Sequence, residues 1–437
     1  MIKYTEGELG SLDSEKHIKS AVKILENFQN ELIGQLEQEY VVIRNNESVQ
    51  SQLKSPNTVY IVRDAIDLKK STMTIPQNSI LKFEGGSLTN GTIKYNNTFI
   101  DGRYMINCQC SGSLSNDVVT PHMYGARGDG LTDDIDAIQQ AISSGKQILF
   151  KRATYLVGKP IVFDRRDIIV DFNNSTIKKT NSRGIEFKYD DMDYRNIPAV
   201  VIIKPIKSPN TNGFMTIKNL YVDGGSNNIG IHAIWCRNVI FENIRIHNSV
   251  KGILYKGFVN TFKEVTIWKC QEGIVTLGGN ATLFERCYTS NCGWCIDKAA
   301  GFSLISCSSD DNNPCYRITN STVSMVGCTF ESKGEGVIVE NSVLELSGDF
   351  QTHIYDSTKG ITYIKASGSS TVDARGCLFH LDNYLKKKIP ESYLFEVNDN
   401  SMIEIQGKVR HGDVLKIKKS PHGIMKYNGK SLKDGSN

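Results

Sequence analysis

The sequence predicts an all-β chain wound as a single-stranded parallel β-helix, preceded by an N-terminal helix and a small β head module. Three observations predict it: a repeat near twenty-one residues from Ile217 onward, short β-type runs separated by Gly and Asn, and no long amphipathic helix between repeats. At 437 residues, 39% apolar and 22% charged, the chain can build a large core and is too mixed to be disordered or fibrous.

The formal charge of +4 comes from 51 basic and 47 acidic residues spread along the whole length, so the basic stripe of a nucleic-acid partner is missing. No window approaches eighteen apolar residues, and residues 1–10 lack the basic and apolar regions of a signal peptide. The expectation is a chain made in a cytoplasm without export signal or membrane insertion. Its eleven cysteines, an odd number, are then buried free thiols rather than a disulfide framework.

Residues 13–39 contain no Pro and one Gly, and Ile18, Val22, Leu25, Leu32 and Leu36 follow a heptad-like seam. A helix over residues 1–40 is expected, either packed on its own domain or forming a trimeric coiled coil. Over residues 41–117 the runs Val59-Tyr60-Ile61-Val62, Ile80-Leu81-Lys82-Phe83 and Thr92-Ile93-Lys94-Tyr95 read as strands. Asn90-Gly91 and Asn96-Asn97 between them suit tight bends, because Gly and Asn tolerate positive φ.

The main repeat places apolar anchors at Ile217, Phe241, Phe262, Phe284, Leu304, Met325 and Leu346. Three residues after the first six anchors stand Leu220, Ile244, Val265, Cys287, Cys307 and Cys328; five after stand Val222, Ile246, Ile267, Thr289, Ser309 and Phe330. Both sets read as inward columns. The odd step from anchor to third residue breaks strand alternation and demands a corner, as at Glu242-Asn243. A further strand is expected to start at Gly252, Gly273, Cys295, Cys315 and Gly336, with Ile253, Ile274, Ile296, Tyr316 and Val337 following. Leucine-rich repeats of similar period are excluded by the absence of their fixed leucine and asparagine spacing.

Residues 119–163 read VTPHMYGARGDGLTDDIDAIQQAISSGKQILFKRATYLVGKPIVF. This resembles the opening motif of pectate-lyase-like right-handed β-helix proteins, a GAxGDGxxDDxxAIQxAI helix followed by a strand of the form vyFpxGtYxv. Ala153 replaces the usual Gly, and Lys151-Arg152 replace the usual Pro. On physical grounds the segment is a structural cap near residues 132–143: Thr132 as N-cap, Asp133 and Asp134 in the first turn, and Ile135, Ile138, Ala141 and Ile142 on one apolar face. Such a helix covers an open strand edge. Gly125, Gly128 and Gly130 lack the strand and crossover of a dinucleotide fingerprint. Asp129, Asp133, Asp134 and Asp136 leave Ca2+ as an alternative role, without EF-hand spacing; no other cofactor and no metal site is expected.

The segment TIPQNSILKFEGGSLTNGTIKYNNTFIDG, residues 74–102, is similar to the head module of phage tail proteins that carry this β-helix. The resemblance implies a homotrimeric tail spike on the virion, joined to other tail proteins through its N-terminus and binding host surface polysaccharide. Residues 118–350 would form the β-helix, and residues 351–437 terminal coils or a closing β module.

Residues at equal offsets stack about 4.8 Å apart, the spacing of adjacent strands, so columns can be read as surfaces. Six residues after the anchors the outward column is Asp223, His247, Trp268, Ser290, Asp310, Glu331 and Thr352. Acids, an imidazole and an exposed aromatic suit a sugar groove. Asp310 and Glu331, with Asp311 adjoining, are the candidate catalytic carboxylates: Glu331 as acid, Asp310 as nucleophile or base, Trp268 and His247 contacting sugar. A second column, thirteen residues after the anchors, contains Leu254, Val275, Asp297, Arg317 and Ile338. There Asp297 and Arg317 read either as an interface ion pair or as glycan contacts.

The Cys292-Gly293-Trp294-Cys295 spacing imitates a redox pair but falls in a turn, and the Asn-Thr-Asp and Gly-His-Gly segments of polygalacturonases are absent. Three functions stay open: a polysaccharide depolymerase, glycosidase before lyase; a non-catalytic receptor-binding or structural tail protein; and a bacterial pectate-lyase-like enzyme, against which the missing export signal counts.

Overall fold

The computed structural model describes residues 22–23, 40–45, 48–189, 192–204, 214–354, 362–381, 393–410 and 416–433. The heptad-like stretch lies outside these residues apart from Val22 and Lys23. The chain divides into two units, Met1–Asn116 and Asp117–Asn437.

In the first unit the strands Tyr40–Ile43, Val59–Val62 and Ile80–Phe83 pair in parallel, and the long strand Ser87–Gly102 joins them through Phe99 to Gly102. Asn90 and Asn97 adopt φ of 54° and 52°, so both expected bends are present. Ile106–Leu114 adds a further parallel strand.

The second unit is a parallel β-helix with three faces per coil. Every expected anchor pairs with the next, Ile217 with Phe241 and onward through Phe262, Phe284, Leu304 and Met325 to Leu346. Stacking like residues fills the interior with like shapes: Phe241, Phe262 and Phe284 lie face to face at 4.6 and 4.8 Å. The cysteine ladder is buried, and the Cys287, Cys307 and Cys328 thiols donate to the carbonyls of Phe262, Phe284 and Leu304 at 3.3–3.4 Å. All eleven cysteines are free.

The corner after each anchor is one residue in the left-handed region, at Asn219, Asn243, Glu264, Arg286, Ser306 and Gly327. Three of these six, Glu264, Arg286 and Ser306, are neither Asn nor Gly, and left-handed backbone costs them energy. Side chains linked from coil to coil offset part of that cost: Asn243 donates to Asn219 at 2.9 Å, Asn219 to Asp171 at 2.9 Å, and Arg286 to Glu264 at 2.7 Å.

The third face departs from the expected register. Its inward column runs Ile253, Ile274, Trp294, Tyr316, Val337, so Trp294 stands where Ile296 was expected, and Gly293 replaces Cys295 at the preceding position. Its outward column runs Leu254, Val275, Cys295, Arg317, Ile338; Asp297 instead pairs with Thr319. The cause is the corner between Ser290 and Trp294, two residues shorter than those after Trp268 and Asp310. A one-residue insertion at the corner after Leu346 places His353, not Thr352, beside Glu331.

The cap helix spans Ile135–Ser144, and residues Asp129–Asp133 form a strand rather than its first turn. Thr132 does not cap it. The Asp133 carboxylate accepts from Ile135 N–H at 3.2 Å and Gly158 N–H at 3.0 Å, while Asp134 turns back to the Arg127 and Gly128 N–H groups. Asp129 accepts from Leu131 and Thr132, which holds its carboxyl down at about 2. The apolar face is buried as expected. The edge of the strand Ile161–Phe163 is closed by Gln139, whose amide exchanges two hydrogen bonds with Val162 at 2.9 and 3.0 Å. Arg165 in turn donates to the helix carbonyls of Ile142 and Ser143. Parallel coils continue through Met402–Arg410 and end in an antiparallel pair, Ile424–Tyr427 with Lys430–Ser431.

Candidate functional site

The second face carries the candidate site. Each of its short strands turns one side chain inward between two that point outward, as strand alternation requires. The inward column runs Val222, Ile246, Ile267, Thr289, Ser309 and Phe330. One outward column is Lys178, Asp223, His247, Trp268, Ser290, Asp310 and Glu331, each the Cα partner of the next. The other, four residues after each anchor, is Thr176, Tyr221, Arg245, Thr266, Tyr288, Ser308 and Thr329. This second column is absent from the sequence reading, although alternation across the inward residue would have pointed to it.

Three aromatic rings meet where the columns adjoin. His247 and Trp268 stack at 5.2 Å, and Tyr221 stands edge-on to both at 5.3 and 5.6 Å. All three are half-buried, which leaves ring surface for a ligand.

Asp310 and Glu331 are direct partners across adjacent coils and both half-buried. The Ser308 hydroxyl donates to Asp310 at 2.9 Å. Tyr288 adjoins them: burial first, then the Asp310 and Glu331 carboxylates, raise its phenol above the usual range. The phenol therefore stays protonated as a donor beside the two acids.

The other predicted residues fall elsewhere. Asp311 occupies the next corner in left-handed backbone and pairs with Lys333 at 3.3 Å, outside the column. Asp297 and Arg317 lie on the third face and in different columns, so they form neither the expected ion pair nor part of the aromatic and acidic surface. Asp297 accepts instead from Thr319 at 3.0 Å and Asn320 at 3.2 Å, while Arg317 is exposed between Cys295 and Ile338. Among the described residues no group of three His, Cys, Asp or Glu is placed to hold a metal, and no helix is long and apolar enough to cross a membrane.

Neither a protein-family model nor a curated protein matches the chain. By structure it is similar to the gp42 tailspike of Acinetobacter phage vb_AbaP_AS12, with 15% identity and a TM-score of 0.56 over 74% of this chain and 65% of that one. It is also similar to the enzymatically active domain of tailspike protein 2 of bacteriophage CBA120, with 14% identity and a TM-score of 0.56 over 72% of this chain and 52% of that one. The chain therefore spans less than two thirds of either protein. The likeness establishes the fold alone, a right-handed parallel β-helix.

Proposed function

We propose that the protein is a bacteriophage tail spike whose second face binds host surface polysaccharide and cleaves it. The observation that carries this reading is the continuous outward column in which the His247–Trp268 stack leads, two coils on, to the adjacent carboxylates of Asp310 and Glu331. Aromatic surface takes the apolar side of sugar rings, and paired acids supply what a glycosidic bond needs.

In this mechanism Glu331 gives its proton to the leaving glycosidic oxygen while the Asp310 carboxylate attacks the anomeric carbon. Water then breaks the glycosyl ester, with Glu331 as base. Ser308 fixes the attacking carboxylate and Tyr288 donates alongside it. The proposed step calls on no cofactor, and at the cap the carboxylates of Asp129, Asp133 and Asp134 accept from backbone N–H groups. Attachment to the tail through the N-terminus and assembly as a homotrimer complete the proposal, supported by the tailspike fold.

Incubating the chain with purified host polysaccharide tests it. New reducing ends without ultraviolet absorbance from unsaturated sugars are expected. Unsaturated products would replace hydrolysis by elimination, and binding without either product would leave a receptor-binding spike.

A further inference from the structure

Upstream of the aromatic cluster, a pocket of about 310 Å³ lies among Arg152, Asn174, Thr176, Tyr221, Asn243 and Arg245. That volume is at the small end of ligand sites and suits one sugar residue. Its chemistry is one-sided. Two guanidiniums, two amides, a hydroxyl and a ring line it together with Leu220, and no carboxylate does.

Among the described residues neither Arg152 nor Arg245 has an ion pair or a side-chain hydrogen bond. Two other exposed arginines of the β-helix are paired, Arg286 with Glu264 and Glu285 and Arg375 with Asp373, whereas Arg317 on the third face is not. Asp223, on the same strand as Tyr221, is taken by the Gly225 N–H at 3.1 Å and the Asn248 amide at 3.4 Å. Two guanidiniums are thus left without a counter-charge around a cavity of monosaccharide size.

We propose that this pocket is a subsite for a sugar residue bearing an anionic substituent, so that the polysaccharide lying along the second face is acidic. The inference rests on reading that face as a glycan groove. A planar guanidinium forks onto a carboxylate or an ester oxyanion with two parallel hydrogen bonds, and Tyr221 offers the ring an apolar wall. Arg245 precedes Asp310 by three rungs, about 14 Å along the axis. The anionic sugar therefore sits several residues from the bond that is cut, and its recognition acts on binding rather than on the chemical step.

The test titrates the full chain with D-glucuronate, D-glucose 6-sulfate and D-glucose at low and high salt, followed by saturation-transfer NMR. At least one anionic sugar is expected to bind roughly tenfold more tightly than glucose, as a charged hydrogen bond implies, with salt weakening it. Which of the two wins identifies carboxylate or sulfate. Arg152→Gln and Arg245→Gln should each abolish that preference at unchanged melting temperature, and on host polysaccharide should raise KM with kcat preserved. Equal binding of glucose, or undiminished preference in both variants, overturns the subsite. Arginine-dependent glucuronate binding by a chain that ignores host polysaccharide would instead retain the subsite and sink the groove reading.

Discussion

Neutralising the paired carboxylates separately tests both the site and its geometry. Asp310 and Glu331 are Cα partners on adjacent parallel strands and both point outward, so their carboxyls stand about 5 Å apart. That falls in the range of about 5–5.5 Å for retaining glycosidases, short of the roughly 6.5–9.5 Å an intervening water needs. Glu331→Gln removes the proposed general acid, and kcat should fall about 10²–10⁴-fold, roughly 3–5 kcal/mol of barrier. Asp310→Asn should fall at least as far, because it removes the proposed nucleophile itself. Asp311→Asn should stay within about twofold, since that carboxylate faces Lys333 at the corner and a surface ion pair contributes little. The assay is reducing-sugar release from host polysaccharide, with proton NMR of the first product anomer. An inverted first product, or Glu331→Gln within tenfold of wild type, would refute the assignment.

Three further outcomes follow from other parts of the structure. Trp268→Ala removes the ring stacked on His247 and should weaken polysaccharide binding about tenfold with folding unchanged, measured by calorimetry; undiminished affinity would move the groove elsewhere. Gln139→Ala leaves the Val162 N–H and carbonyl without their cap and should cost about 2 kcal/mol in urea unfolding, against a smaller loss for exposed Gln147→Ala. Burial depresses the His232 imidazole to about 4, so the unfolded chain, near 6.5, binds the extra proton between those values. Stability should accordingly be full above pH 6.5 and fall by up to about 1.4 kcal/mol per pH unit on acidification toward 4. His122, also depressed to about 4 by burial, adds in the same direction. His232→Gln should flatten part of this slope in melts at successive pH values, and an identical slope would exclude the histidine as its source.

What the sequence made legible follows from the lengths of the corners. From Ile217 to Met325 the corner after each anchor is one left-handed residue, so offsets of three to six keep their meaning from coil to coil. The anchors, the cysteine ladder and the column holding Trp268, Asp310 and Glu331 were therefore readable by counting. Beyond that face the count fails. The short corner at Asn291 to Gly293 moved Asp297 out of its assumed column, and the insertion around Gly348 put His353 beside Glu331. The cap misled in a different way: an Asp-rich run beside an amphipathic helix resembles a helix start, yet Asp129–Asp133 extends as a strand pairing with the strand Thr154–Leu156, a tertiary partner invisible to local propensity.

The same constraint bears on why the second face suits a site. A one-residue corner held by coil-to-coil side-chain links leaves little freedom to insert or slide, so the outward pairs of the second face inherit their spacing from the backbone ladder. Catalytic groups must hold their geometry to fractions of an ångström, and rigid strands achieve this better than loops. Across the six coils from Asp223 to Glu331 the outward column stays in register, the shift in the last strand pair falling after Asp310, whereas the third face absorbs the change in corner length. A long glycan needs such a track. Placing the two acids two coils apart instead of one, through Ser290→Asp combined with Asp310→Ser, would open their separation to about 10 Å while keeping both on the same column. That distance excludes direct attack and leaves room for a water, so turnover should collapse or pass to inversion; retained activity with retained stereochemistry would show that the pair is not the catalytic one.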